Sequence, residues 1–187
     1  TGAETTEAAF KLMRMEGHRR GKRRLGVLCL EGNFHGRTTG SQMMSGNVPA
    51  REWLGFMDPD IHHLPFPYPW TLEGQDPAAF FENGLQSLVD RGLDPSLDLC
   101  GVMLETFQGW GAIFYPNEFV QEVESYAREC GALLAFDEMQ AGFGRTGELF
   151  GYMHYAVEPD LLCCGKGASS GLPLAIVLGR KEVMDLP

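Results

Sequence analysis

Three ionisable residues in this sequence stand where an apolar run stops, and each is of a type that does chemistry. Lys166 follows the run 160–164 (DLLCC) and sits between Gly165 and Gly167. Asp137 closes 132–137 (ALLAFD) and leads into Glu138-Met139-Gln140 and a glycine-rich stretch, 141–147 (AGFGRTG). Glu105 closes 100–105 (CGVMLE) and leads into Thr106-Phe107-Gln108-Gly109. A lone loop lysine reads as an ordinary solvated side chain, because lysine is rarely buried unless paired. An acid ending one run and a lysine ending another, both followed by glycine-rich loops, read differently. A desolvated lysine gives up its proton more easily and forms imines with carbonyl carbons.

Other chemistries fit these residues poorly. Residues 133–138 (LLAFDE) have the form of a magnesium-binding acidic strand in a nucleotide hydrolase. The GxxxxGK[ST] loop that such a strand needs is missing: around Gly165-Lys166, Asp160 holds the place of the first glycine and Gly167 that of the hydroxyl residue. A metal site is also poorly supported. His62 and His63 are adjacent, so they point to different sides of an extended chain, and no HExxH is present.

The elements that must position these residues are legible in the apolar pattern. Runs at 25–30, 100–105, 132–137, 160–164 and 174–178 are near-continuous rather than alternating, which predicts strands covered on both faces, as in a parallel sheet flanked by helices. Helical patterns lie between them. Residues 3–17 place Ala8, Leu12 and Met15 on one face, with Gly17 as the C-cap. Residues 77–91 carry Phe80, Phe81, Leu85, Leu88 and Val89 at helical spacing. Residues 117–130 open on an Asn117 cap, space Phe119, Val120, Val123 and Ala127 along one side, and stop at Gly131. This is the rhythm of an α/β domain, in which ligands gather at the carboxyl ends of the strands. Residues 63–70 (HLPFPYPW), with three prolines, read as a rigid surface or interface loop.

Composition narrows the function classes. The 187 residues suffice for one domain with a sizeable core, and 44% hydrophobic with 21% charged residues is ordinary for a soluble globular protein. A net charge of −10 argues against a nucleic-acid partner. Seven of the fifteen Lys and Arg residues lie between Lys11 and Arg24; this reads as a solvated helix end, with a phosphate or partner patch as the alternative. Five cysteines in mostly apolar surroundings, with no CxxC pair, predict buried reduced thiols and an intracellular, most simply cytoplasmic, setting. No apolar stretch approaches the ~20 residues that cross a bilayer, so no membrane association is expected. The chain starts without methionine, and both ends read as cuts in a longer protein.

Five ordered motifs resemble class III aminotransferases, which have the type I fold of pyridoxal-phosphate enzymes. Residues 2–9 (GAETTEAA) are similar to the family's SGSEANEAA, and 33–38 (NFHGRT) to its aromatic-HGRT turn. Residues 105–109 (ETFQG) resemble EPxQG with Thr106 in place of proline, 137–147 (DEMQAGFGRTG) resemble DEVQTGFGRTG, and 159–167 resemble PDxxxxxKG. The resemblance implies that Lys166 carries pyridoxal 5'-phosphate as a Schiff base and moves the substrate proton. It implies that Asp137 pairs with the pyridinium nitrogen and keeps it protonated, and that Gln140 hydrogen-bonds the ring hydroxyl oxygen. Phe34 and Met139 would lie against opposite faces of the ring. Gly2 and Ala3 would hold the phosphate at a helix N-terminus. His35 lies in a matched motif at the cofactor, and Glu105 would help arrange the substrate side.

The same resemblance implies transamination from an amine or omega-amino acid donor to a keto acid, in a homodimer. Residues 1–187 would be the central part of the large cofactor-binding domain, with an N-terminal segment and a C-terminal small domain outside it, and would not be a competent enzyme alone. Mutase, decarboxylase and phospho-lyase relatives use the same lysine, and a non-catalytic scaffold would keep the fold. The intact Lys166, Asp137 and Gln140 set speaks against the scaffold.

Overall fold

The apolar runs become strands because both of their faces find cover. In the computed structural model, which describes residues 1–169 and 171–185, the main strands are β1 (Gly26–Leu30), β2 (Ile61–Leu64), β3 (Leu99–Glu105), β6 (Leu133–Asp137), β7 (Leu161–Cys164) and β8 (Ile176–Gly179). A small hairpin of β4 (Phe107–Gln108) and β5 (Ile113–Phe114) follows β3. The six form one sheet in the order β2-β1-β3-β6-β7-β8. Every neighbouring pair is parallel except β7 with β8. Every residue of β1, β3, β6 and β7 is buried.

Alternate residues along each strand sort into two cores, as a period of two requires. Val27, Cys29, Met103, Leu133, Ala135, Leu161 and Cys163 pack with Ala9 and Met13 of α1 (Gly2–Arg19) and with Met43 and Met44 of α2 (Thr39–Met44). Leu28, Leu30, Val102, Leu104, Leu134, Phe136 and Leu162 pack on the other side. There they meet Phe81, Leu85 and Leu88 of α4 (Pro77–Val89) and Phe119, Val120, Val123 and Ala127 of α6 (Asn117–Cys130). Each such buried Val, Leu, Phe or Met side chain contributes about 1.5–3 kcal/mol by leaving water. Single-turn helices lie at Pro69–Leu72 (α3), Pro95–Asp98 (α5) and Lys181–Met184 (α7), with short 3-10 turns at Pro49–Leu54, Gly151–Tyr155 and Lys166–Ala168.

Several expectations shift. The buried face of α1 is carried by Thr5, Thr6, Ala9, Met13, Glu16 and Gly17, while Ala8, Leu12 and Met15 are only half-buried. Gly17 is not the C-cap; the helix runs on to an Arg20 cap. A Cβ at position 17 would stand 2.4 Å from Cys100 Cβ, so this glycine is there for close helix–strand approach. Asn117 is the first helical residue and Pro116 the cap, while Gly131 ends α6 with φ 68° as expected. Helix α4 stops at Val89, which is exposed. Strand β2 carries two histidines at its centre, so no apolar run marks it, yet its backbone pairs along β1. The segment after it is not a surface loop throughout, since Phe66 is fully buried against Tyr115. The last strand is shifted to 176–179 and lies at the sheet edge, antiparallel and half-exposed.

Most of the basic segment is spent on intramolecular ion pairs. Arg14 pairs with Asp58 at 2.6 Å, Arg19 and Arg20 with Glu16 at 2.6 Å each, Arg23 with Asp98 at 2.6 Å and Arg24 with Asp60 at 2.7 Å. Lys22 donates to the carbonyls of Ser96 and Cys130. The Arg19 and Arg20 guanidiniums hold the Glu16 carboxyl down at about 2. The five cysteines are all buried and unpaired.

Asp160 is a buried acid that joins three parts of the fold. Its Oδ2 accepts from Leu134 N at 2.7 Å, and its Oδ1 faces Arg128 at 2.9 Å and Arg180 at 2.6 Å. It therefore ties α6, β6 and the end of β8 together. Asp160→Ala leaves a buried N–H and two guanidiniums without their acceptor, and the expected loss is about 3 kcal/mol. Urea unfolding followed by circular dichroism measures it.

Candidate active site

The parallel register brings the chemistry together. Glu105 stands opposite Asp137 across β3 and β6, and Asp137 stands opposite Cys163 across β6 and β7. All three strands end at the same edge, and Lys166 follows within a short helical turn, Lys166–Ala168. At this edge the first turn of α1 and the 34–37 turn close a cleft of about 290 Å³. Gly2, Ala3, Phe34, His35, Glu105, Asp137, Met139, Gln140 and Lys166 all line it. Every residue singled out from the sequence is thus at one site. Thr1, Gly36 and Arg37, which the sequence does not mark as site residues, line it too. Arg37 lay in a matched motif, so its signal was present; its guanidinium stands 5.9 Å from the Phe34 ring centre.

Asp137 is buried and held from two sides. His35 Nδ1 lies 3.1 Å from its Oδ2, and Met139 N donates to its Oδ1 at 3.0 Å. His35 is itself fixed by its backbone: its N–H donates to Ser45 Oγ at 2.8 Å, and its carbonyl accepts from Thr6 Oγ1 at 2.7 Å. With Nδ1 donating to the carboxylate, His35 Nε2 is a buried ring nitrogen with no partner among the described residues.

Glu105 is buried beside this pair. Its Oε2 accepts from Phe34 N at 3.0 Å and its Oε1 from Gly109 N at 3.3 Å. Burial pushes its carboxyl up to about 7; His35 opposes the rise and Asp137 adds to it.

Small residues shape the walls. A Cβ on Gly2 would meet Met139 Sδ at 2.9 Å and one on Gly165 would meet it at 2.6 Å, so Met139 is wedged between the start of α1 and the turn that bears Lys166. Gly36 has φ 136°, and its Cβ would meet Ala3 Cβ at 2.7 Å. The turn therefore lies directly on α1. Glu7 fixes the far side, accepting from Thr38 Oγ1 at 2.5 Å and from Gly40 N at 2.8 Å.

Lys166 is exposed at the rim and not desolvated, and it also borders a larger cleft with Phe143, Gly144 and Arg145. Its φ of 42° is a left-handed conformation that costs a side-chain-bearing residue about 1–2 kcal/mol. Such strain persists where its surroundings impose it. Phe34 is 46% exposed, with its ring open to the cleft.

The model of the aminotransferase class-III family matches residues 1–187. The chain belongs to the class III aminotransferase family. A probable 4-aminobutyrate aminotransferase of Bacillus subtilis (strain 168) is 34% identical, over 99% of this chain and 42% of its own length. The acetylornithine/succinyldiaminopimelate aminotransferase of Yersinia pestis is 36% identical, over 100% of this chain and 42% of its own. Among solved structures, an (S)-enantioselective omega-transaminase from Thermomicrobium roseum superposes with a TM-score of 0.87 at 31% identity, covering all of this chain and 43% of that one. A taurine:2-oxoglutarate aminotransferase from Bifidobacterium kashiwanohense, in complex with PLP and glutamate, gives 0.84 at 27% identity, covering 99% of this chain and 42% of that one. The chain spans about two fifths of the length of these proteins.

The raised Glu105 carboxyl has a consequence for stability. Its folded value of about 7 lies above the ordinary 4.5, so the native state binds the proton more tightly than the unfolded chain. Its contribution is full below about pH 4.5 and is lost as pH rises through 7. Glu105→Gln is expected to flatten that fall and to exceed the parent in stability above pH 7, by at most about 3 kcal/mol. Urea midpoints of both proteins between pH 5 and 8.5 check it.

Proposed function

We propose that the protein bearing this chain is a pyridoxal-phosphate-dependent transaminase, and that residues 1–187 are the central part of its large domain. The observation that carries this is the convergence of an amine, a carboxyl and an amide, Lys166, Asp137 and Gln140, on one cleft with the N-terminus of α1. The donor set fits the cofactor. The first-turn N–H groups at Gly2 and Ala3 suit a phosphate, the open Phe34 ring suits a flat heteroaromatic, and the anchored Asp137 suits a ring N–H⁺. When bound, pyridoxal phosphate supplies a carbonyl carbon that condenses with amines and a cationic ring that takes up the electron pair of a broken C–H bond.

The chain's own residues then have distinct tasks. Asp137, oriented by His35 and Met139 N–H, holds the proton on the ring nitrogen by favouring its charged form. Gln140 offers its amide to the ring oxygen. Phe34 and Met139 confine the ring. The Lys166 amine would hold the cofactor through its carbonyl carbon, and when free its nitrogen would take up and return the proton of the donor carbon. Glu105, poised near neutrality, faces the same space.

Relatives named for 4-aminobutyrate, diaminobutyrate and acetylornithine support a donor with a terminal amine and a keto-acid acceptor. A homodimer is the assembly proposed for the whole protein. The full-length protein is expected to be yellow, to lose that band on borohydride reduction, and to carry the label on Lys166. Lys166→Ala should abolish labelling and turnover. A colourless protein that ignores added pyridoxal phosphate would sink the proposal and favour a scaffold.

A further inference from the structure

Thr106 departs from the family motif, where proline stands between the glutamate and the next residue, and the departure is put to use. The side chain is fully buried, and all four of its groups are engaged. Its backbone N–H donates to the Asp137 carbonyl at 3.3 Å. Its hydroxyl donates to Glu138 Oε1 at 2.7 Å. Its carbonyl accepts from Tyr155 Oη at 2.7 Å. Its methyl lies where a Cβ on Gly151 would stand 2.7 Å away. Proline has no N–H and no hydroxyl, so it makes neither of the first two bonds.

Both of those bonds land on the segment that carries Asp137, Met139 and Gln140. Glu138 passes the restraint on. Its Oε1 also accepts from Tyr152 N at 2.8 Å, its Oε2 from Gly151 N at 3.0 Å, and its carbonyl from Gly142 N at 2.9 Å. The segment 142–152, which includes the glycine-rich loop walling the larger cleft beside Lys166, is thereby fastened at both ends to Glu138, and Glu138 is fastened to Thr106. We infer that Thr106 is a positioning residue: through Glu138 and the Asp137 carbonyl it sets where the ring-facing carboxyl and the 141–147 wall stand. The inference rests on the proposed function only for its catalytic consequence; the restraint itself is independent of it.

The test uses the full-length protein and three variants. Hydrogen exchange reads the restraint without any cofactor. In Thr106→Val the amides of Gly142, Gly151 and Tyr152 are expected to exchange about tenfold faster, the size expected for losing a hydrogen bond to a carboxyl group. Thr106→Ser keeps the hydroxyl and is expected to restore protection, and Thr106→Pro to lose it further. On the cofactor-loaded enzyme, Thr106→Val should lower kcat about tenfold with KM within about twofold, the pattern of a misplaced catalytic group. Thr106→Ser should recover it. Unchanged exchange in both the Val and Pro variants would overturn the inference, as would losses in kcat that follow melting temperature alone and are not recovered by serine. A parent protein that shows the exchange pattern but takes up no cofactor overturns the proposed function and leaves the restraint standing.

Discussion

The structure depends on one constraint: its central strands β1, β3, β6 and β7 are buried on both faces and run parallel, and parallel strands in register end together. β3, β6 and β7 have no water-facing side, so each crossover between them must be covered by a helix or by packed loop, and the chain returns to the same edge each time. Polar residues that cannot lie within such strands collect where they stop. Glu105, Asp137 and Lys166 are far apart in sequence and adjacent in space for that reason alone. The α1 N-terminus arrives at the same edge because the helix packs across β3, β6 and β7.

Burial at that edge is then what gives the groups their character. Asp137 and Glu105 lie side by side in register, an arrangement that works against charging both. The structure resolves it unequally: Asp137 receives an imidazole and a backbone N–H, while Glu105 receives two backbone N–H groups and stands with its proton balanced near neutrality. Two carboxyls with the same chemistry are thus assigned different work by their donors.

Much of this was legible in the sequence. The apolar runs located the central strands within a residue or so, because two-sided burial leaves an unambiguous signature. All nine singled-out site residues share one cleft, because strand ends and motif order point to the same edge. What was not legible has physical reasons. The burial phase of α1 was misread by one residue, since Thr5, Thr6 and Glu16 are buried polar residues satisfied by partners such as Ser41 and Arg19 that lie outside any apolar pattern. β2 carries histidines where apolar residues were sought. Glu138, next to Asp137 in the sequence, does not line the cleft; its carboxylate holds Gly151 and Tyr152. No local pattern distinguishes a carboxyl that serves the fold from one that serves the site.

Gly17 shows how far the tolerance of the site extends. Helix α1 touches β3 there at backbone distance, and its other end forms the cleft wall at Gly2 and Ala3. At 1.5 Å per residue these points are about 22 Å apart on a stiff rod. Lifting one end tilts the other, so the seat at the first turn is aligned by a hydrogen atom on the opposite side of the domain. Selection on the cleft therefore reaches a position that touches nothing in it, and variation that looks neutral from the site is not neutral at this fulcrum.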